Sequence, residues 1–91
     1  MSTISPEDSL IQYPCDFPIK VMGRAGDAFL PEMATLVRGF DPDFDPATIE
    51  VRPSSSGNYL GLTLTVHVHS REQLDAVYRA LHGHEMVSVV L

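Results

Sequence analysis

With 91 residues, 44% of them apolar, and a single cysteine, the chain has the material for one small core and needs neither a disulfide nor a metal to hold it. Six basic residues against twelve acidic ones leave a formal charge of −6, which argues against nucleic acid and anionic membranes as partners. No apolar run nears the roughly 20 residues of a membrane span. The first residues also lack the basic and apolar regions of a secretion signal, so a cytoplasmic location is expected.

Residues 1–14 are rich in Ser, Pro, Glu and Asp, which predicts a flexible leader whose tail, "LIQYP", docks on the domain that follows at 15–91. In "CDFPIKVMG", Phe17, Ile19 and Val21 alternate with Asp16, Pro18 and Lys20, the period of a half-buried strand. From Asp27 to Phe40, Phe29, Met33, Leu36 and Phe40 recur at helical spacing, flanked by Leu30 and Val37, with Pro31 in the first turn. The segment "DPDFDP" (Asp41 to Pro46) reads as a solvated acidic turn. Three carboxylates suggest calcium, but the central glycine and terminal glutamate of an EF-hand are missing.

A second strand runs through Ile49 and Val51, with Glu50 and Arg52 on its other side, and Pro53 assigns it to a sheet edge. "SSSGNY" sits between two strands without the lysine or helix N-terminus of a phosphate cradle, so it reads as a turn in which Gly57 and Asn58 are the candidates for positive φ. The third strand puts Leu60, Leu62, Leu64, Val66 and Val68 on one face, and Tyr59, Gly61, Thr63, Thr65, His67 and His69 on the other. Ser70 and Gln73 make a capping box for a second helix with Leu74, Val77, Tyr78 and Leu81 on its apolar face, closed by Gly83. "EMVSVVL" supplies a last strand.

The order βαββαβ with right-handed crossovers predicts an α+β, ferredoxin-like sandwich. Its four-stranded antiparallel sheet has the order 4-1-3-2, with both helices on one face. The expected core packs Phe29, Met33, Leu36, Phe40, Leu74, Val77 and Leu81 on Ile19, Val21, Leu62, Leu64 and Val66.

"FPIKVMG", "PSSSGNY", "REQLDAVYRAL" and the terminal "MVSVVL", in that order, resemble the YbeD-like (UPF0250) family of small bacterial proteins of unknown function. The resemblance covers Tyr13 to Leu91. It implies this same fold, a bacterial cytosol and a structural likeness to ACT regulatory domains, and it brings no catalytic residues.

Two His-x-His pairs, His67/His69 and His82/His84, raise a zinc hypothesis. The second helix, roughly 16 Å long at 1.5 Å per residue, holds them apart, so surface histidines are expected and no metal or other cofactor is implied. Antiparallel pairing of the first and third strands brings Cys15 toward His69 as a thiol and its base, but no oxyanion hole or third member accompanies them. "VMGRAGDAF" bears a faint resemblance to acylphosphatase, an enzyme of this fold that uses an arginine and an asparagine. Leu30 stands where that pattern wants its arginine, which leaves Arg24 and Asn58 as nominees, opposed by Asp27.

The favoured expectation is a non-catalytic regulatory or binding module. Its candidate residues are Gly23, Arg24, Gly26 and Asp27, in the place where ACT-like domains hold small ligands, and Lys20, Met22, Thr63, Thr65 and His67 on the uncovered sheet face. The glycines also serve as simple strand-to-helix turns. A protein or small-molecule partner suits either place. The last strand lacks an edge-protecting proline or lysine, so the chain is expected to be a monomer or a weak homodimer paired through that edge.

Overall fold

The computed structural model describes residues 12–91. Strand β1 (Cys15–Arg24), helix α1 (Phe29–Arg38), β2 (Glu50–Pro53), β3 (Tyr59–Val68), α2 (Arg71–His82) and β4 (Val87–Val90) follow in the expected order. The strands form one antiparallel sheet of order β2-β3-β1-β4, which is 4-1-3-2 read from the other edge. Most of the leader expected over residues 1–14 lies outside the described residues; of its tail, Tyr13 is half-buried against the core.

The sheet is organised by the pairing of β1 with β3, which runs unbroken from Cys15 opposite Val68 to Arg24 opposite Tyr59. Ile19, Val21, Leu62, Leu64, Val66 and Val68 therefore share the face that the helices cover, and all are buried. Lys20, Met22, Thr63, Thr65 and His67 share the other.

Proline inside a central strand ordinarily breaks a ladder. Pro18 escapes that cost because β4 is short: it pairs with β1 only at Val21, Met22 and Gly23, with Leu91 N–H donating to Lys20 C=O just beyond. Alternate residues point their N–H and C=O to the same side. Pro18, two residues from Lys20, thus turns its missing N–H toward the β4 side, at a point beyond β4's end.

On α1 the buried set is Phe29, Met33, Ala34 and Val37, whereas Leu36 and Phe40 are only partly buried. The helix is rotated about its axis relative to the expected face. A further residue joins the core from outside the helices: Phe44, from the acidic turn, is 4% exposed and belongs to the buried cluster. The turn is therefore not wholly solvated. Asp43 and Asp45 stay outside, Asp45 caps a short 3-10 helix (Pro46–Thr48) by accepting from Ala47 N–H, and Asp41 accepts from His67 N–H at 3.1 Å.

The Ser70–Gln73 cap forms on α2, with Gln73 N–H donating to Ser70 Oγ at 3.1 Å. Its reciprocal arm differs from the usual box. Gln73 Oε1 accepts from His69 N–H at 2.6 Å and Nε2 donates to the Phe40 carbonyl at 3.0 Å, so one side chain ties the end of β3 and the exit of α1 to the start of α2. The 54–57 segment is a turn: Gly57 N–H donates to Ser54 C=O, Ser54 Oγ accepts from Tyr59 N–H, and Ser56 Oγ accepts from Asn58 N–H. Among the described residues only Gly57 takes positive φ, 79°, and Asn58 does not share that role.

Gly23 belongs to β1 and is buried where the strand meets both α1 and β4. A Cβ there would strike the Met86 carbonyl oxygen and lie 2.6 Å from Phe29 Cζ, whereas one at Gly26 would meet nothing within 4 Å. Gly23→Ala is expected to destabilise by about 2–3 kcal/mol through overpacking against backbone. Gly26→Ala should stay within about 0.5 kcal/mol of the parent. Urea unfolding of the two variants side by side checks this, and equal midpoints would refute the close approach. Leu64, fully buried on the inner face, should cost about 2–5 kcal/mol as Leu64→Ala.

Candidate functional site

The uncovered face of the sheet is built by the β1–β3 register and widened at its edges. Lys20 lies opposite Thr63, Met22 opposite Gly61, Pro18 opposite Thr65 and Asp16 opposite His67. On one flank β2 adds Glu50 opposite Thr63 and Arg52 opposite Gly61; on the other, Val89 lies opposite Met22 and Leu91 beside Lys20. Because Gly61 has no side chain, a shallow hollow of about 480 Å³ opens over it, lined by Lys20, Met22, Arg52, Thr63 and Leu91 among others. Lys20, Arg24 and Arg52 form no ion pair with any described residue.

At the far end of the same face the charge reverses. Asp16, Asp41, Asp43, Asp45, Thr65 and His67 surround a second depression. His67 Nδ1 lies 2.8 Å from Asp16 Oδ1, which makes that nitrogen the donor, and the ring meets His69 edge-on with centroids 5.0 Å apart. The five face residues expected from sequence are thus together. Asp16, Glu50, Arg52, Gly61, Val89 and Leu91 complete the surface. Glu50 and Arg52 were legible as the polar side of a strand, but their place beside Lys20 depends on a pairing that sequence does not display.

The loop after β1 is separate from this face. Arg24, Ala25, Gly26 and Asp27 are exposed, while Gly23 is engaged in packing. Ala25 N–H donates to the Asn58 carbonyl at 2.9 Å, which ties the loop to the hairpin turn. Arg24 and Asn58 do line one small hollow with Ala25, Gly57 and Tyr59. Of the N–H groups along it, that of Ala25 is already bonded to the Asn58 carbonyl.

The other candidates are dispersed. Cys15 sits opposite Val68 on the helix-covered side, so the sheet stands between its thiol and His69. His82 stacks on Tyr78, and His84 accepts from Met86 N–H through Nδ1, which leaves Nε2 to donate to Glu32 Oε2 at 3.2 Å. Among the described residues no group of three or more His, Cys, Asp or Glu is placed to hold a metal, and no helix is long and apolar enough to cross a membrane. Burial raises the Tyr13 phenol, with Cys15, Asp75 and Glu72 adding in the same direction, and burial likewise raises that of Tyr78. Both rings lie away from the open face and act in packing.

A four-stranded antiparallel sheet with two helices on one side and a mixed polar face on the other defines a ferredoxin-like α+β domain. The solution structure of HP0495 from H. pylori has this fold, with a TM-score of 0.74 at 17% identity over 99% of this chain and 98% of that one. The family model described as "Protein of unknown function (DUF493)" matches residues 8–91. A UPF0250 protein of Bordetella pertussis is 63% identical over the full length of both chains. A UPF0250 protein of Ralstonia nicotianae is 60% identical over 94% of this chain and 89% of its own. The chain belongs to this UPF0250 (DUF493) family of bacterial proteins.

The Gln73 bridge generates a local expectation. Gln73→Ala leaves the His69 N–H and Phe40 carbonyl without their partner and should cost about 1–2 kcal/mol. Gln73→Glu keeps the acceptor but loses the donor, and should fall between. Chemical denaturation of the pair checks the order.

Proposed function

We propose that this chain is a non-catalytic, cytoplasmic binding or regulatory module that works through the open face of its sheet. The observation that carries this reading is the hollow over Gly61, where Lys20 and Arg52 stand without ionic partners among the described residues, beside Met22 and Leu91. Unpaired cations next to soft apolar groups are the ingredients of a recognition surface, which needs polar groups for orientation and apolar area for affinity. The loop from Gly23 to Asp27 is the lesser candidate, because Gly23 is committed to packing and Ala25 to the hairpin.

The test is an amide NMR titration against a metabolite panel and against fractions of cell extract. Shifts concentrated at Lys20, Arg52, Gly61 and Thr63, lost in Arg52→Ala, are the expected result. Shifts confined to Arg24, Gly26 and Asp27 would move the site to an ACT-like ligand loop and defeat this assignment.

A phosphatase of acylphosphatase type is the second reading, and it is favoured by one observation only, the shared hollow of Arg24 and Asn58. Phosphate cradles rely on converging free N–H groups, and the Ala25 N–H is spent on Asn58. Acyl phosphate hydrolysis by the purified chain should not exceed buffer. Turnover abolished by Arg24→Ala would reverse the ranking.

A further inference from the structure

The open face is electrically two-ended. Lys20, Arg24 and Arg52 occupy the end near the hairpin, with Glu50 as the lone carboxylate among them. Asp16, Asp41, Asp43 and Asp45 crowd the other end around His67. Lys20 and Asp16 stand on the same strand and point the same way, two residues to either side of Pro18, which is itself opposite Thr65. Small side chains thus mark the middle of the face, with opposite charges on either side.

A surface of this kind is its own complement. We propose that the open face docks on the same face of a second copy of this chain. The two-fold axis would lie between the sheets and cross the strands at Pro18 and Thr65. A half-turn about that axis lays β1 over β1 in the opposite direction, setting Lys20 over the second copy's Asp16 and carrying Arg52 toward its acidic turn. The contact is isologous, so every charge pair occurs twice. Met22 supplies apolar area over the second copy's β1, whereas Val89 and Leu91, 44% and 69% exposed, lie at the margin because β4 does not extend to the other end of the face.

The proposal rests on the open-face reading above and names its partner. Magnitudes make the dimer weak. Two strands of ten residues and two of four, about 4.8 Å apart and roughly 3.4 Å per residue, give a footprint of about 450 Å² per copy. That is about 900 Å² in total, below the range of stable specific interfaces and in that of weak, transient ones. Two chains of formal charge −6 also repel at long range, so the local complementarity must overcome a general repulsion. Glu50, which a half-turn brings toward the acidic turn, opposes the dimer.

Sedimentation of the full chain from micromolar to millimolar concentration, at low and high salt, is the first measurement. A dimer that loosens about five-fold or more as salt rises is expected, since the contacts are exposed charges. Charge exchange makes it specific. Lys20→Glu with Arg52→Glu should weaken self-association about ten-fold or more, as should Asp16→Lys with Asp43→Lys. An equimolar mixture of the two variants should form a heterodimer tighter than either homodimer, a recovery that misfolded variants cannot give. Glu50→Gln should tighten the parent dimer. A monomer throughout, or a dimer indifferent to both charge reversals and so paired through the β4 edge, would overturn the proposal. Either outcome leaves the open-face reading standing if ligand shifts still appear at Lys20, Arg52 and Thr63.

Discussion

Ten residues of β1 face ten of β3 without a break, and because side chains alternate across a pleat, this one register assigns every residue of both strands to the core or to solvent. A slip by one would carry Ile19 and Val21 to the open side and press Lys20 into the helices. The helices can cover only the face that the register makes apolar. The same pairing brings Asp16 to His67 and Lys20 to Thr63, so the charges of the outer face are distributed by the interaction that builds the core.

Two features let the remaining elements attach to that central pair. Gly23 is the point where β1, the Phe29 ring of α1 and the backbone before β4 come together at distances that admit no side chain. Phe29 can then fill the core from the first turn of its helix. Pro18 is tolerated in a central strand because β4 ends before reaching it.

Function in this family is best sought on surfaces that folding does not consume. The hairpin serines and Gly57 spend their groups on the turn, Gln73 and Ser70 on capping, and Cys15 lies on the covered side opposite Val68. What remains is a face whose cations have no ionic partner among the described residues, facing away from both helices. A domain of this size offers little else, since nearly every inward-facing residue is needed for its single core.

The alternation in β1 and β3, the helical spacing of Leu74, Val77 and Leu81, and the Ser70–Gln73 cap are local patterns, so element order, the inner sheet face and the sheet topology could be read from the chain itself. Pro53 marked its edge strand for the same reason. What neighbours in space decide was not written there. Phe44, isolated among aspartates, carries no periodicity, yet it is buried in the core, and on α1 Val37 rather than Leu36 is buried. The outer face joins residues from three strands and the chain end, Arg52 beside Gly61 and Leu91 beside Lys20. No sequence window contains those pairs, because strand partners are chosen by the packing of the whole sheet, and only the tertiary structure brings them together.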